Sequence, residues 1–358
     1  MSDQQQEKII RLKTASLGLG RAMPQLLEIA HSTGLYEIIS VSDSDLVNAE
    51  KIAHHYNCSA FDDYRQFILQ NDIELLIVAE PLYKCVEFVK AAINKKCHIL
   101  KLIPTASNFE QANELVSLAK KNKVQYITAN PSRFAPGYEC LADYLKTVDK
   151  KQYYFLNVCA SFGDDFFQPI VSDSLADPKL SGGGVLLNDC FELLSLIAAA
   201  FALPQQVYAL MTNKGVDRRA KQYLGEDTVN ASLVFKEGLI GTFLAAAQTG
   251  TGSVAPVRIY GADNNIVATP NRLAVYDNNG LLINENKYPL KPEKCITEMF
   301  IDIGRALLEP DKYKLRSSSR LDLGVMAFIE TAYLSRRTAM PESPRKFFEM
   351  SEKELSLL

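Results

Sequence analysis

The sequence predicts an α/β protein with a doubly wound parallel sheet in its first part and an α+β domain with a largely antiparallel sheet in its second. Three observations lead to this expectation. The first 130 residues alternate short β-rich runs with helical stretches, and parallel strands need crossovers of this kind. A glycine-rich turn follows the first β-rich run. Beyond residue 131 the pattern changes to paired alternating runs, which are typical of antiparallel strands.

The first part contains strand candidates separated by segments long enough to form crossover helices. Apolar residues recur at helical spacing in residues 84–94 and again in residues 109–121. Strand, helix and strand repeated in this way predict a parallel sheet with helices on both faces. The strand candidates are residues 12–17, 37–42, 75–79, 98–102 and 125–128.

The second part combines helices with runs that alternate apolar and polar residues. Two such runs, 231–235 and 239–245, meet at Lys236–Gly238, which predicts a hairpin. Further strands are expected at residues 153–162, 257–260 and 273–276, and helices at 136–145, 185–201, 297–308 and 321–336.

Length and charge restrict the class of protein. A chain of 358 residues exceeds what one core usually serves, so two domains are expected, at residues 1–130 and 131–358. The net charge of −3 comes with only short pairs of Lys and Arg, which gives no support to a nucleic-acid partner. No apolar run approaches the roughly 20 residues that span a bilayer, and the polar start is not a signal peptide. We expect a cytoplasmic protein without membrane contact.

Cysteine and histidine usage excludes some chemistry. The seven cysteines are widely spaced and contain no CxxC pair, which favours reduced thiols and no metal site. All four histidines lie in the first hundred residues. An imidazole base supplied by the second part is therefore excluded.

A glycine loop lies between the first strand and the first helix. Gly18 allows a tight turn, and Gly20 lets backbone N–H groups approach a pyrophosphate at the positive end of the helix. Met23 occupies the third glycine position of this Rossmann-type fingerprint, where a bulky side chain must alter the packing of helix on strand. The placement of the loop predicts dinucleotide binding.

Asp43 ends the second strand at the distance usual for a carboxylate that accepts ribose hydroxyls. It would repel a 2′-phosphate, and Ser44 offers no cation in its place, so NAD is expected as the cofactor, with NADP as the alternative. Another interpretation is that Asp43 only caps the following helix, in competition with Asp45.

The order of several landmarks resembles the glucose-fructose oxidoreductase / inositol dehydrogenase (Gfo/Idh/MocA) family along nearly the whole chain. The landmarks are Gly18-Leu19-Gly20-Arg21, Val41-Ser42-Asp43, Pro81, Lys96-Cys97-His98-Ile99-Leu100 with Pro104, Arg133-Phe134-Ala135-Pro136, Gly182-Gly183-Gly184-Val185-Leu186-Leu187 and Ile259-Tyr260-Gly261.

The resemblance implies a sugar-like or polyhydroxylated substrate. It also implies a homodimer or homotetramer formed through the outer face of the second sheet. The implied cofactor contacts are Gly18, Leu19, Gly20, Arg21, Ala22, Asp43, Ser44, Ala79, Pro81 and Pro104.

The positions at which the family usually carries catalytic residues differ here. The Lys of its Glu-Lys-Pro sequence corresponds to Ile103, and the Asp and His of its glycine-run helix correspond to Asn188 and Glu192. A further common His corresponds to Cys85. Hydride loss from an alcohol carbon needs a base for the hydroxyl proton, so a substitute is required for catalysis.

Three residues are the catalytic candidates. Glu192 is one, because partial burial raises a carboxyl pKa toward neutrality; its alternative role is to pair with Arg133 or to order the pocket. Lys101 lies two residues before Ile103, so both side chains point to the same face, roughly 6.5 Å apart. Its alternative is an amine in water at the end of the sheet. Neutral Asn188 is the third candidate.

The substrate candidates are Asn130 and Arg133, which follow the fifth predicted strand, and Asp189. Arg133 is able to bind a carboxylate or phosphate in a bidentate manner, and its alternative is a structural salt bridge between the domains. Asp189 lies about 100° round the helix from Asn188, where it caps, pairs or faces the domain junction instead. The pair Asp164-Asp165 is interpreted as solvated, with no metal.

Two functions follow from these observations. The first is an NAD(P)-dependent oxidoreductase that acts on a sugar-like or polyhydroxylated small molecule with a non-standard proton relay through Glu192 or a water. The second is a catalytically inactive homologue that binds dinucleotide or metabolite as a sensor or partner protein.

Overall fold

The computed structural model describes residues 10–162, 178–214, 225–247 and 255–355. Its first part is a six-stranded parallel sheet with the order β3-β2-β1-β4-β5-β6, in agreement with the predicted doubly wound sheet. The strands are β1 Leu12–Leu17, β2 Tyr36–Ser42, β3 Ser59–Phe61, β4 Leu75–Val78, β5 His98–Leu102 and β6 Tyr126–Ala129.

Helices connect these strands and cover the sheet. Their apolar faces are buried; in α4, for example, Leu82, Cys85, Val89, Ala92 and Ile93 point into the core. The helices of this part are α1 Met23–Ser32, α2 Leu46–Tyr56, α3 Tyr64–Gln70, α4 Leu82–Asn94 and α5 Phe109–Asn122.

The second part contains an eight-stranded sheet with the order β14-β13-β12-β11-β7-β10-β9-β8. Strands β7 and β10 pair in parallel and the other neighbours pair antiparallel, which confirms a largely antiparallel sheet. The strands are β7 Tyr153–Phe162, β8 Gln206–Thr212, β9 Thr228–Val234, β10 Ile240–Ala247, β11 Val257–Gly261, β12 Asn265–Thr269, β13 Arg272–Tyr276 and β14 Leu282–Lys287.

The predicted hairpin joins β9 to β10. A short 3₁₀ turn, Lys236–Gly238, connects them, and Glu237 and Gly238 adopt positive φ angles of 66° and 88°. The inner face of the sheet is apolar and buried, whereas the outer face exposes Tyr208, Leu210 and Ile240. Strand alternation therefore separates a core face from an open face.

Helices of the second part cover the inner face of its sheet and line the junction with the first part. A short 3₁₀ helix, Pro131–Phe134, follows β6 directly. The helices are α6 Pro136–Thr147, α7 Pro178–Ser181, α8 Val185–Asn188, α9 Phe191–Phe201, α10 Pro292–Leu308, α11 Ser319–Thr338 and α12 Arg345–Leu355.

The last helices return to the first part of the chain. The Tyr36 hydroxyl donates a hydrogen bond to the backbone carbonyl of Phe300 in α10. The rings of Phe347 and Phe348 pack on Phe109 at centroid distances of 5.7 and 5.2 Å. The division at residue 130 stays a prediction, because the N-terminal sheet and the C-terminal helices share one core.

Candidate active site

The glycine loop follows β1 at the carboxyl edge of the parallel sheet. Gly18 has a φ of +87°, a conformation that favours glycine. A Cβ at this position would lie 2.7 Å from the backbone nitrogen of Glu80, so no larger residue fits. The Gly18 N–H donates to the carbonyl of Ser42 at the end of β2. The loop is thus fixed between strands β2 and β4.

Backbone N–H groups at the start of α1 are available to a ligand. Nothing lies within 4 Å of a Cβ built on Gly20, so this side of the loop is open. Among the described residues, the N–H groups of Gly20, Arg21 and Ala22 have no recorded acceptor. Free N–H groups at a helix start suit a phosphate, and the loop therefore fits a dinucleotide. Met23, in the third glycine position, is buried in the core.

Asp43 is tied to the glycine loop. Its Oδ2 accepts the N–H of Leu19 at 2.7 Å, and its Oδ1 accepts the N–H of Asp45 at 2.9 Å. The cap of α2 is Asp45, which accepts from the N–H groups of Val47 and Asn48. Asp43 is only partly buried, and each oxygen retains a lone pair, so its carboxylate fits the predicted ribose contact. Ser44 is exposed beside it.

Three other predicted cofactor residues lie along the same edge of the sheet. Ala79 follows β4 and donates its N–H to the carbonyl of Leu17. Pro81 precedes α4 as its N-cap residue. Pro104 follows β5, and the bond between Ile103 and Pro104 is cis. Ligands of open α/β sheets bind beyond this edge.

Lys101, Ile103 and Asn188 line one small cavity, together with Pro104. Its volume is about 30 Å³. The cavity lies where β5 ends and where the glycine-run segment of the second part meets the first. The structure therefore places two of the three catalytic candidates, Lys101 and Asn188, beside Ile103, where the family usually carries a lysine.

The amine of Lys101 is buried rather than in water, with 4% of the residue exposed. The alternative interpretation, in which this amine lies in water at the end of the sheet, is therefore wrong. Its Nζ donates to the carbonyl of Leu102 at 2.6 Å. Burial lowers the pKa of Lys101 to about 8, although the nearby Cys85 and Glu80 act in the opposite direction. An amine with this pKa is mostly neutral in mildly alkaline solution.

Asn188 is also buried, and its amide nitrogen is fully used. Nδ2 donates to the carbonyls of Gly183 and Gly184, at 3.0 Å each. The amide oxygen is then the atom of Asn188 that remains for a further contact. An amide oxygen accepts hydrogen bonds, whereas the carboxylate found in the family also accepts protons.

The glycine run packs against three separate parts of the chain. A Cβ on Gly182 would lie 1.9 Å from the carbonyl oxygen of Ser107, and one on Gly183 would lie 2.0 Å from the Tyr333 hydroxyl. A Cβ on Gly184 would lie 2.1 Å from the carbonyl oxygen of Glu226. Glycine is required at all three positions because backbone or ring atoms occupy the space of a side chain.

Glu226 organises this segment, and its role was not predicted from the sequence. Its buried carboxylate accepts the N–H groups of Gly184 and Leu186 and the hydroxyl of Tyr333, at distances between 2.8 and 3.1 Å. Burial raises the pKa of Glu226, and these donors act against the shift. Glu226 and Tyr333 are distant in sequence from the glycine run, so no local pattern indicates the contact.

Glu192 lies apart from the small cavity. The predicted helix 185–201 is interrupted at Asp189 and Cys190, and Glu192 is the second residue of the second of the two resulting helices. Its Oε2 accepts the hydroxyl of Ser132 at 2.6 Å, and its Oε1 has no partner within the described residues. Burial raises the pKa of Glu192 to about 7, while Ser132 and Arg133 lower it.

Arg133 makes contacts across the junction of the two parts. Its Nη2 forms a salt bridge with Asp322 at 2.7 Å and also contacts Ser195, and its Nη1 donates to Ser317. The pairing of Arg133 with Glu192, one of the alternatives considered, is absent from these contacts. The guanidinium is directed at protein partners, and a substrate contact by Arg133 stays a prediction.

The remaining substrate candidates differ in their surroundings. Asn130 is 1% exposed, and neither atom of its amide has a partner within the described residues. An unpartnered buried amide is uncommon, and its two polar atoms are free to bind a ligand. Partial burial raises the pKa of Asp189 to about 7, with a contribution from Glu226. The contact of either with a substrate stays a prediction.

No group of three potential metal ligands occurs in the part of the chain that the structure describes. Asp164 and Asp165 lie outside the described residues. Of the described helices, none has the length and hydropathy to cross a bilayer.

Residues 12–130 match the model of GFO_IDH_MocA, an oxidoreductase family with an NAD-binding Rossmann fold. This description confirms the prediction of NAD as the cofactor class. A curated relative, the NADP(+)-dependent scyllo-inositol 2-dehydrogenase IolU of Bacillus subtilis, is 25% identical over 284 residues. The match covers 76% of this chain and 82% of the relative.

Two solved structures match nearly the whole chain at 14% identity. The first is an oxidoreductase from Agrobacterium radiobacter in complex with NAD+, L-tartaric acid and magnesium, with a TM-score of 0.79 over 94% of this chain and 99% of that chain. The second is the WlbA dehydrogenase from Bordetella pertussis in complex with NADH and UDP-GlcNAcA, with a TM-score of 0.76 over 93% and 98%. Together the family model over residues 12–130, the curated relative and the fold support membership of the Gfo/Idh/MocA family.

Proposed function

We propose that this protein is an NAD(P)-dependent oxidoreductase that acts on a sugar-like or polyhydroxylated small molecule. The observation that carries the proposal is the buried amine of Lys101, whose pKa is lowered to about 8, in the same cavity as Asn188 and Ile103. This amine occupies the region where the family's usual lysine is replaced by Ile103. The curated relative is an inositol dehydrogenase, and the two structural neighbours are complexes with L-tartaric acid and with the sugar nucleotide UDP-GlcNAcA. All of these compounds carry hydroxyl or carboxylate groups.

The residues of the loop and the cavity have separate proposed roles. Gly18, Gly20 and Asp43 would hold the dinucleotide, whose nicotinamide would accept the hydride. The neutral amine of Lys101 takes the proton from the substrate hydroxyl as the carbon loses its hydride, so that a ketone is formed. The amide oxygen of Asn188 accepts a hydrogen bond from the substrate and positions that hydroxyl.

Glu192 remains the second candidate for proton transfer. Its carboxyl, with a pKa of about 7, is bonded to Ser132 rather than directed into the cavity of Lys101. We therefore assign the first proton transfer to Lys101 and a supporting role to Glu192, through Ser132 and a water. The unpartnered amide of Asn130 and the carboxyl of Asp189 are the proposed substrate contacts.

A substrate screen tests this function. Purified protein with NAD or NADP is incubated with inositols, hexoses, uronic acids and their nucleotide-linked forms, and reduced dinucleotide is measured by its absorbance. The expected result is turnover with at least one of these compounds that is lost in Lys101→Met. Turnover that is unchanged in this variant would contradict the assignment of the base.

The size of the cavity favours a second candidate function. A volume of about 30 Å³ leaves room for little more than water, and no sugar fits it without movement of the lining residues. A homologue that binds dinucleotide or metabolite without turnover, as a sensor or partner protein, accounts for such a small cavity. The expected result for this function is retained NADH, identified by mass spectrometry after anaerobic purification, without turnover in the screen.

We further propose that the protein is a cytoplasmic homodimer or homotetramer. The seven cysteines are free, which suits a reducing compartment. The outer face of the eight-stranded sheet exposes Leu210, Ile240 and Leu244, and burying such a face is a common route to a stable oligomer. Light scattering of the wild type and of Ile240→Lys tests the assembly, and a monomeric wild type would contradict it.

A further inference from the structure

A second and larger cleft lies away from the dinucleotide edge. It has a volume of about 550 Å³, within the range of small-molecule sites. Four segments form it: residues 134–139 with the start of α6, residues 288–291, one face of α10 and residues 313–316. Its size is sufficient for a ligand, whereas the cavity at Lys101 holds little more than a water.

The position of α10 shows that this cleft is separate from the dinucleotide loop. Phe300 and Gly304 of α10 contact Leu35 and Tyr36, at the beginning of β2. The dinucleotide residue Asp43 follows the other end of that strand, which is seven residues long and so extends about 20 Å. None of the loop residues Gly18–Ala22 lines the cleft, nor does Asp43, so a ligand there would bind apart from the dinucleotide.

The cleft concentrates positive charge in an acidic protein. Five cationic and three anionic side chains line it, although the chain as a whole has a net charge of −3. Within the described residues Lys291, Lys294 and Arg305 form no ion pair. Arg316 is paired with Glu139. Of the three carboxylates only Glu139 has a salt bridge among these residues, so the five cations and three anions leave an excess of two positive charges.

Aromatic rings hold the two guanidinium groups of the cleft in place. Arg305 lies over the ring of Tyr313 at 5.6 Å, and Arg316 lies over Phe134 at 5.0 Å. Stacking on a ring orients a guanidinium without neutralising it. The N–H groups at the edge of the Arg305 guanidinium remain available to an oxyanion, for which arginine offers a bidentate geometry.

We infer that the cleft between α6 and α10 is a binding site for a small phosphorylated metabolite. Lys294 and the neighbouring Lys291 bind the phosphate group, and Arg305, three turns further along α10, adds positive charge with Lys314 at the other end of the cleft. The rings of Tyr288 and Tyr313 contact the organic part of the ligand. The site is independent of the dinucleotide loop and of the reaction proposed above.

Titration calorimetry tests the inference with three probes: inorganic phosphate, glucose 6-phosphate and AMP. Glucose and adenosine serve as uncharged controls. We expect saturable binding of at least one phosphorylated organic probe at concentrations up to about 10 mM, with no binding of the uncharged controls. Binding of AMP alone would identify a nucleotide as the source of the phosphate, and binding of glucose 6-phosphate alone a sugar phosphate.

Two exposed lysines provide a matched pair of variants. Lys294→Glu reverses a charge inside the cleft and should weaken binding about tenfold or more, whereas Lys236→Glu makes the same change outside it and should leave binding within about twofold. Binding should also persist at saturating NADH. Absence of binding with all three probes, equal affinity in Lys294→Glu and wild type, or displacement by NADH would overturn the inference. These outcomes do not depend on turnover, so they are distinct from a failure of the proposed oxidoreductase.

Discussion

Lys101 in strand β5 of the parallel sheet and Asn188 in helix α8 of the second part line the same cavity. The pairing arises because the glycine run brings its backbone against Ser107, just beyond β5. A proton acceptor and a hydrogen-bond acceptor are thereby placed next to Ile103. Four variants or pairs of variants test what this arrangement does.

Replacement of Lys101 by Met should lower kcat by roughly 10²- to 10⁴-fold, because the base for the hydroxyl proton is lost. NADH affinity should be nearly unchanged. In the wild type, kcat/KM for oxidation should rise with pH through about 8, the pKa of Lys101, since only the neutral amine accepts a proton. Steady-state kinetics across pH measure both effects, and a variant that keeps this pH dependence would exclude Lys101 as its source.

The same substitution should stabilise the fold near neutral pH. The folded-state pKa of Lys101, about 8, lies below its usual value of 10.5, so a buried charge destabilises the folded state below pH 8. Wild-type stability should therefore rise between pH 8 and 10.5, and Lys101→Met should gain about 1–3 kcal/mol at pH 7. Urea unfolding at pH 7 and 10 provides the measurement. An inactive variant that is also less stable would indicate that the amine holds the local structure.

Glu192→Gln should reduce turnover by less than about tenfold if Lys101 is the base, and by roughly 10²- to 10⁴-fold if Glu192 is. The folded-state pKa of Glu192, about 7, lies above its usual value of 4.5. Its contribution to stability is therefore complete below pH 4.5 and is lost as pH rises through 7. Between pH 5 and pH 8 the unfolding free energy should therefore fall more in the wild type than in the variant. An identical pH dependence in both proteins would mean that Glu192 does not titrate in this range.

Asp43→Ala should weaken NADH more than NADPH, because the carboxylate accepts ribose hydroxyls and repels a 2′-phosphate. The matched control is Asp45→Ala, which removes the cap of α2 and should lower stability by about 1 kcal/mol without changing the ratio of the two affinities. Calorimetric titration of both dinucleotides gives that ratio. Equal losses of affinity for NADH and NADPH in Asp43→Ala would indicate that Asp43 serves only to hold the backbone of Leu19.

Gly182→Ala should destabilise the protein by more than about 2 kcal/mol, because its Cβ would overlap the carbonyl oxygen of Ser107 in addition to the strain of a φ of +93°. Gly34→Ala carries similar strain at φ +74° but has nothing within 4 Å, so it should lower stability by only about 1 kcal/mol. The difference between the two losses of stability, measured by thermal unfolding, gives the cost of the overlap with Ser107. Equal losses would show that Ser107 moves aside.

The local parts of the site could be predicted from the sequence. Gly18, Gly20 and Asp43 lie at strand ends, where position along the chain fixes position in space, and the structure places them at one edge of the sheet. The family comparison confirms the fold and the cofactor class. Strand β3 was missed because three residues are too few to show an alternating pattern.

Other features depend on tertiary contacts. The burial of Lys101 results from neighbouring segments that cover the end of β5, which its sequence context does not indicate. The bond of Glu192 to Ser132 and the interruption of the helix at Asp189 likewise depend on packing across the junction. Glu226 was not predicted because its partners in the glycine run are close only in the folded chain.

The return of the C-terminal helices to the parallel sheet has a consequence for biosynthesis. Tyr36 and Phe109 emerge from the ribosome long before their partners Phe300, Phe347 and Phe348 are translated. The N-terminal sheet therefore exposes apolar surface until these helices have been synthesised. A premature stop codon shortly before Ser319 would leave the surface around Phe109 permanently uncovered, and such a product would be a substrate for chaperones and proteases rather than a smaller stable protein.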